Sequence, residues 1–193
     1  YLDLKLNHFR GTLPLSSGYV IPFADSPLDK EPVGKMVYLD LINRAERYVH
    51  IMTPYLVLDH AMMEALCYAA KRGVDVKLIL PHIPDKKYVF AMAKTHYPEL
   101  MRAGVKIFEF IPGFVHAKGI VVDDKKAMVG TINLDYRSFY LHFEDAVLLF
   151  QVPQIQEIEQ DMQDTIALSL QITKGNLKKE SIFTRLTGVL LKI

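Results

Sequence analysis

Residues 116–133 read HAKGIVVDDKKAMVGTIN, an apolar run interrupted by polar side chains. The interruptions and one glycine stand at fixed offsets: His116, Lys118, Asp123, Gly130, Thr131 and Asn133. The apolar residues between them predict two strands, Val115 to Val122 and Ala127 to Ile132, joined by a short polar turn. The stretch therefore predicts neighbouring strands of a sheet that carry polar groups at a sheet edge.

Alternation along these strands would bring the polar groups together. Successive side chains of a strand point to opposite faces, so His116 and Lys118 share a face, as do Thr131 and Asn133. An imidazole, an ammonium, a hydroxyl and an amide can then converge on one oxyanion. The imidazole can bond to phosphorus or shuttle a proton, and the other groups can stabilise charge on the equatorial oxygens.

Each of these residues alone also has a structural interpretation. A single histidine on a strand is usually hydrogen-bonded within the fold, and a single lysine usually lies on a solvated face. Specified residue types at all of these fixed offsets rarely coincide by chance. We therefore favour a functional site over a structural one.

The composition limits the class of protein. The chain has 193 residues, 50% of them hydrophobic, which is enough for one domain with a sizeable core. A formal net charge of +1 gives no overall basic field for nucleic acid. No apolar run approaches the ~20 residues of a membrane-spanning helix. Cys67 is expected to be a buried, reduced thiol, and a chain that begins with Tyr1 rather than Met is expected to be part of a longer protein.

Helix and strand patterns alternate along the chain and then give way to clustered strands. Helices are predicted over residues 36–47, 61–72, 86–103 and 154–172. Strands are predicted over residues 19–23, 48–53, 74–80, 105–111, 115–122, 127–132 and 146–150. Asp59 and Gly73 should bound the second helix, and Pro98 should interrupt or end the third. The order predicts an α/β fold with a mixed, mostly parallel sheet flanked by helices on both faces.

The spacing of the polar groups resembles the HKD motif of the phospholipase D superfamily, H-x-K-x4-D-x6-G-[GS]-x-N. Thr131 stands where that family has Ser or Gly, and a hydroxyl is retained. The family also has a glutamate after the asparagine, which orients the histidine, and Glu144 fits that place. The resemblance implies a phospholipase D-like domain with these catalytic residues: His116, Lys118, Asp123, Asn133 and Glu144. Of these, Asp123 is expected to stabilise the turn between strands rather than touch substrate.

Further segments extend the resemblance over roughly residues 17–193, to bacterial cardiolipin synthases. They are YVIPFADSPLDKEP (19–32), TPY (53–55), IPDKK (83–87), PGF (112–114) and TINLDYRSFYLHFE (131–144). The resemblance implies phosphatidyl transfer between two phosphatidylglycerol molecules, giving cardiolipin and glycerol through a phosphohistidine intermediate. It implies phosphatidylglycerol and cardiolipin as ligands and a place at the bacterial cell membrane, on its surface or at the inner membrane. No cofactor, metal or nucleic acid is expected.

One HKD motif is half of a site in this superfamily, where two motifs meet across a pseudo-twofold axis. The remaining histidines have no lysine two positions on: His8, His50, His60, His82, His96 and His142. The second motif therefore lies upstream in the same polypeptide or comes from a homodimer partner. Because the first histidine of two-motif members is usually the nucleophile, His116 is expected to be the general acid or base. The rival function is a dimeric phosphodiesterase or nuclease, and a scaffold without chemistry is a third interpretation.

Four residues near the motif are expected to bind substrate: Thr131, Tyr55, Tyr136 and Arg137. Tyr55 either lines the head-group pocket or is a core tyrosine. Arg137 either binds a second phosphate bidentately or forms an ion pair with Asp135 or Asp145.

Three parts are expected along the chain. Residues 1–16 form a leading segment or linker, and residues 17–175 form the catalytic domain. Residues 176–193 form an amphipathic tail that either docks on anionic lipid or packs on its own domain.

Overall fold

The computed structural model describes residues 18–178, so the predicted leading segment 1–16 and nearly all of the predicted tail 176–193 lie outside the described residues. None of the helices within this part combines the length and apolar character that a membrane crossing requires. The elements follow in this order: β1 (Tyr19–Asp25), α1 (Val33–Asn43), β2 (Tyr48–Met52), β3 (Leu56–Val57), α2 (His60–Lys71), β4 (Asp75–Pro81), α3 (Lys87–Ala103), β5 (Lys106–Phe110), β6 (Gly119–Val122), β7 (Lys126–Gly130), β8 (Leu134–Asp135), α4 (Tyr136–Tyr140), β9 (Glu144–Phe150), α5 (Gln154–Ala167), β10 (Ser169–Gln171) and α6 (Lys174–Lys178).

One large sheet has the strand order β1-β9-β7-β6-β2-β4-β5-β10, and β3 pairs separately with β8. The predicted α/β class with a mixed sheet is confirmed, but the expectation of mostly parallel pairing is wrong. In the described part of this sheet, only β2–β4 and β4–β5 are parallel, and the other five neighbouring pairs are antiparallel. Connection length explains the difference. A tight turn joins β6 to β7 and permits only antiparallel pairing, whereas parallel pairs need crossovers such as α2 and α3.

Helices cover both faces of the sheet, as predicted. On one face α1 and α3 contribute Tyr38 and Tyr97, both fully buried, together with residues of α2. On the other face α5 contributes Ile155 to a second apolar cluster. The neighbouring residues Leu78 and Ile79 of β4 belong to these two different clusters, because successive strand side chains point to opposite faces.

Local sequence signals bound the helices that follow the parallel strands. The Asp59 carboxylate accepts a hydrogen bond from the Met62 N–H at 2.9 Å, which confirms the predicted cap of α2. Gly73 follows that helix with φ 95°, in the left-handed region that favours glycine. Within α2, Cys67 is a buried free thiol, as expected.

Two predicted helix boundaries are wrong because tertiary contacts override local propensity. α3 continues through Pro98, since Tyr97 and Leu100 on either side of it are fully buried and hold both turns against the core. This burial outweighs the one hydrogen bond that a proline removes. The helix predicted to reach Ile172 ends at Ala167, because the next residues form β10 and pair with the otherwise free edge of β5.

The strand ends next to the motif all lie on the same side of the sheet, where strands end or begin. This side is called the site edge below. β2 and β4 run toward this edge in parallel, and β6 starts from it because Gly119 pairs with Met52. β7 ends there at Gly130, and β9 begins there at Glu144. The connections between these strands are therefore the segments that build the candidate site.

Candidate active site

The motif side chains lie in connections at the site edge rather than within strands. β6 begins only after Lys118, so the strand predicted from Val115 is too long, and alternation does not apply to His116. The segment before β6 crosses the ends of β4 and β2 on its way from β5, so it has no strand to pair with. Thr131 and Asn133 likewise follow the end of β7.

The His116 imidazole is exposed and makes no hydrogen bond to any residue between 18 and 178. Its ring stacks against Phe114, with the two centroids 5.6 Å apart. The interpretation of a lone histidine that is hydrogen-bonded within the fold does not fit this environment. One ring contact with both nitrogens free leaves the imidazole available to phosphorus or to a proton.

Lys118 is partly buried and is fixed beside the histidine. Its Nζ donates a hydrogen bond to the carbonyl oxygen of His116 at 2.6 Å. Burial lowers the pKa of Lys118, and the nearby carboxylates of Glu144 and Asp135 oppose this shift by favouring the charged form. The side chain is therefore held beside the histidine and close to two carboxylates.

Asn133 is held by Ser138, five residues further on in α4. The Ser138 Oγ lies 3.1 Å from Nδ2 and 3.2 Å from the backbone nitrogen of Asn133, while the Asn133 Oδ1 is buried without a partner in the described part of the chain. Exchanging the amide oxygen and nitrogen would let the Ser138 hydroxyl donate to the oxygen and would leave the NH₂ group unpaired. In either orientation one polar end of the Asn133 amide has no protein partner among residues 18–178.

A chain of polar contacts runs from the motif to α4. The Thr131 hydroxyl donates to the Glu144 carboxylate, which is buried. The other carboxylate oxygen lies 3.8 Å from Nδ1 of His142, and Nε2 of His142 accepts a hydrogen bond from Nε of Arg137 at 2.7 Å. The expected contact between Glu144 and His116 is not formed within residues 18–178. Glu144 instead reaches the motif through Thr131, because the chain returns to the sheet beside the end of β7.

Arg137 and Tyr136 lie on the exposed surface of α4. The guanidinium of Arg137 pairs with His142, so the alternative of an ion pair with Asp135 or Asp145 is wrong. The Asp135 carboxylate instead caps α4 by accepting the Ser138 N–H at 2.7 Å. Tyr136 is 52% exposed, so both side chains are accessible at the site edge.

Asp123 lies at the other end of β6 from His116 and has a structural environment. Its carboxylate accepts hydrogen bonds from the backbone N–H groups of Glu46, Arg47 and Tyr48 at 2.8, 2.8 and 2.9 Å. Burial raises the pKa of Asp123, but the three N–H groups outweigh it and hold the pKa below its usual range. These contacts join the turn after β6 to the connection between α1 and β2, and the structural role of Asp123 stays a prediction.

Tyr55 belongs to a row of ring contacts along the site edge. It is half-buried, which excludes a core tyrosine, and its ring centroid lies 6.4 Å from that of Phe114. Its hydroxyl donates to Asp85 at 2.6 Å, and Nζ of Lys86 lies 5.6 Å from its centroid. Contacts therefore run from His116 through Phe114 and Tyr55 to Lys86.

The sequence analysis missed a polar cluster that anchors α4. Nζ of Lys35 lies 2.6 Å from both the Asp59 carboxylate and the Tyr140 hydroxyl, which itself donates to Asp59 at 2.9 Å. The three side chains come from separate parts of the chain, so no local pattern signals them. Ser138 was also missed, although its position five residues after Asn133 was a usable signal.

No group of three or more His, Cys, Asp or Glu side chains in the described part of the chain is arranged to hold a metal ion. Lys118 and Arg137 place positive charge near the motif.

Comparison with known proteins shows the family of this chain. The family model described as "Cardiolipin synthase, PLD-like domain" matches residues 38–166. An uncharacterized protein of Streptococcus mutans is 55% identical over 179 residues, 93% of this chain and 39% of that protein. Cardiolipin synthase 2 of Bacillus cereus is 37% identical over 163 residues, 84% of this chain and 32% of that protein. The chain thus spans about a third to two fifths of the length of these relatives.

The fold also matches that of a solved structure. Nuc, a phospholipase D family member from Salmonella typhimurium, has a TM-score of 0.67 at 21% identity, covering 82% of this chain and 100% of that one. This likeness confirms the predicted phospholipase D-like fold, and the family match confirms the resemblance seen in the sequence. The chain belongs to the cardiolipin synthase family of phospholipase D-like domains.

Proposed function

We propose that this chain supplies one of two half-sites of a cardiolipin synthase that works at a bacterial membrane. The reaction joins two phosphatidylglycerol molecules and releases glycerol. The family membership and the naming of the Bacillus cereus relative as cardiolipin synthase 2 support this reaction. The observation that carries the proposal is the exposed imidazole of His116, free of hydrogen bonds within residues 18–178 and adjacent to the positioned Lys118.

The transfer takes place in two in-line steps. A nucleophilic histidine bonds to the phosphorus of the first phosphatidylglycerol while the bond to the glycerol oxygen breaks, and a second histidine gives that oxygen a proton. A hydroxyl of the second phosphatidylglycerol then bonds to phosphorus, returns a proton to the second histidine and releases the first. His116 takes the part of the second histidine, the general acid and base.

Lys118 and Asn133 stabilise the charge on the equatorial phosphate oxygens. The lysine offers an ammonium group beside the carboxylates of Glu144 and Asp135. The asparagine offers its NH₂ group in the amide orientation in which the Ser138 hydroxyl donates to the amide oxygen. Thr131 has its hydroxyl proton committed to Glu144. It therefore positions the loop and offers substrate only an acceptor oxygen.

The other half-site comes from the upstream part of the same polypeptide or from a homodimer partner. Coverage of only 39% and 32% of two relatives supports the first arrangement, since it leaves room for a second domain of similar size.

Synthesis requires the second lipid to compete with water for the phosphatidyl-enzyme. Orientation of a bound acceptor can be worth an effective molarity of about 10⁵ M or more. Arg137 is exposed on α4 and can hold the second phosphate bidentately, and Tyr136 beside it can cover the site with an apolar ring.

Lipid product analysis tests the proposal. The full-length protein is incubated with phosphatidylglycerol vesicles, and mass spectrometry should find more cardiolipin than phosphatidic acid. Arg137→Ala should shift the products toward phosphatidic acid or lower both. Arg44→Ala is the matched control, because that exposed arginine pairs with Asp40 on α1. Dominant phosphatidic acid would make the protein a phospholipase, and nucleic acid cleavage without lipid turnover would favour the dimeric nuclease.

A further inference from the structure

A surface next to the candidate site combines positive charge with exposed apolar side chains. It is called the basic–apolar patch here and consists of Ile83, Lys86, Lys87, Tyr88 and Ile111. Ile83 is 56% exposed, Tyr88 55% and Ile111 50%, and both lysines are exposed as well. Exposing apolar side chains of this size to water does not stabilise the fold, so the patch indicates a surface that binds a partner.

Strand ends hold the patch in place. The His82 N–H donates to the Phe110 carbonyl at 3.0 Å, which sets the segment after β4 beside the segment after β5. The Ile111 N–H donates to the carbonyl of Leu168, a residue that is itself 57% exposed. The backbone of the patch is thus fixed by the sheet before any partner binds.

Exposed apolar side chains concentrate at the site edge. Most of the exposed large apolar side chains in the described part of the chain lie there. Besides the members of the patch, they are Leu28, Phe114, Tyr136, Leu141, Phe143 and Leu168. An uneven distribution of this kind marks an interaction surface rather than the scattered exposure of an ordinary surface.

The patch is continuous with the site itself. Lys86 contacts the ring of Tyr55, which contacts Phe114, which in turn stacks on His116. The acidic residue of this loop, Asp85, is engaged by the Tyr55 hydroxyl. An occupant of the patch would therefore meet the lysines and lie beside the reactive imidazole.

We propose that the basic–apolar patch docks the domain on an anionic lipid bilayer. Ile83, Tyr88 and Ile111 enter the headgroup region, while Lys86 and Lys87 contact anionic headgroups. Apolar burial combined with attraction to anionic lipid is the composition of interfacial membrane segments. A nucleic acid would use the lysines but would leave two exposed isoleucines in water. The inference rests on the proposed lipid substrate and adds the surface by which the site faces that lipid.

Vesicle flotation of the 193-residue chain tests the docking without turnover. Phosphatidylglycerol–phosphatidylcholine vesicles are compared with phosphatidylcholine vesicles. Each lysine near an anionic surface contributes about fivefold, so Lys86→Gln with Lys87→Gln should lower partitioning to the anionic vesicles roughly 25-fold. The wild-type preference should weaken at high salt. Ile83→Asp should lower binding to both vesicle types.

The matched control is Lys125→Gln with Lys126→Gln. It removes the same charge from the last turn residue before β7 and from the first residue of β7, at the end of these strands opposite the site edge, and should leave partitioning unchanged. The proposed docking surface is wrong if both double variants bind the anionic vesicles as well as wild type does, or if both lose this binding to the same extent. Loss of single-stranded DNA binding without loss of vesicle binding would assign the patch to nucleic acid and also overturn it. The proposed reaction is judged separately by lipid products of the full-length protein, so either idea can fail alone.

Discussion

Replacing Asp123 with asparagine tests a motif residue whose contacts are structural. Oδ2 accepts the N–H of Glu46, and Oδ1 accepts those of Arg47 and Tyr48. Asparagine keeps one oxygen, but its NH₂ group must then face a backbone N–H, and the charge is lost. Hydrogen bonds to a charged group contribute roughly 1.5–3 kcal/mol, and a buried unsatisfied donor costs about 1–3 kcal/mol. We expect Asp123→Asn to lower the free energy of unfolding by about 3 kcal/mol.

Thermal unfolding measures this loss. For a chain of this size each kcal/mol shifts Tm by about 2–4 °C, so the variant should unfold about 6–12 °C lower. Asp124→Asn is the matched control, because this neighbour is exposed and its ion pair with Arg47 should contribute less than about 1 kcal/mol.

The pH dependence has a defined sign. The folded-state pKa of Asp123 is lowered, so its stabilisation is fully present above the unfolded-state value of about 3.9. It is lost as the pH falls through the folded-state pKa, and the difference between wild type and Asp123→Asn should shrink in acid. Where the variant is folded, its kcat should stay close to that of the wild type. A variant that is as stable as wild type but inactive would refute the structural assignment.

Three other predictions concern the motif and its surroundings. Because burial lowers the pKa of Lys118, kcat/KM should fall at alkaline pH with a midpoint below about 10.4, the ordinary pKa of lysine. Lys118→Arg should move this midpoint to higher pH. A midpoint that does not move would mean that another group titrates there. Gly130→Ala should destabilise the fold by about 1–3 kcal/mol in denaturant unfolding, because its Cβ would lie 2.2 Å from the Asp145 carbonyl oxygen and 2.6 Å from the Ala146 Cα. Activity should survive exhaustive chelation, since Lys118 supplies the cation; rescue of a chelated enzyme only by an added divalent ion would contradict this.

The sequence predicted the fold class because apolar periodicity and helix caps are local signals. Strand direction is not local: an alternating or apolar run reads the same in parallel and antiparallel sheets. The short turn between β6 and β7 was the available clue to antiparallel pairing. The predicted break of the third helix at Pro98 was wrong for a similar reason. The burial of Tyr97 and Leu100 that keeps α3 intact depends on residues far away in the chain.

The residues of the site could be read from their spacing, but their contacts could not. Glu144 meets Thr131 rather than His116 because β9 returns beside the end of β7, a relation fixed by the sheet. The Lys35–Asp59–Tyr140 cluster depends in the same way on three elements meeting in space.

The role of His116 is tested directly by the rate of phosphatidyl transfer by full-length protein carrying His116→Ala. The imidazole is exposed, and within residues 18–178 its ring contacts Phe114 without a hydrogen bond, so the substitution should leave Tm unchanged. Turnover should fall by about two to four orders of magnitude, the scale of a positioned proton-transfer group. His60→Ala, which alters an 86% exposed histidine on α2, should be fully active. Near-normal turnover by a folded His116→Ala protein would show that His116 is not the proton-transfer group.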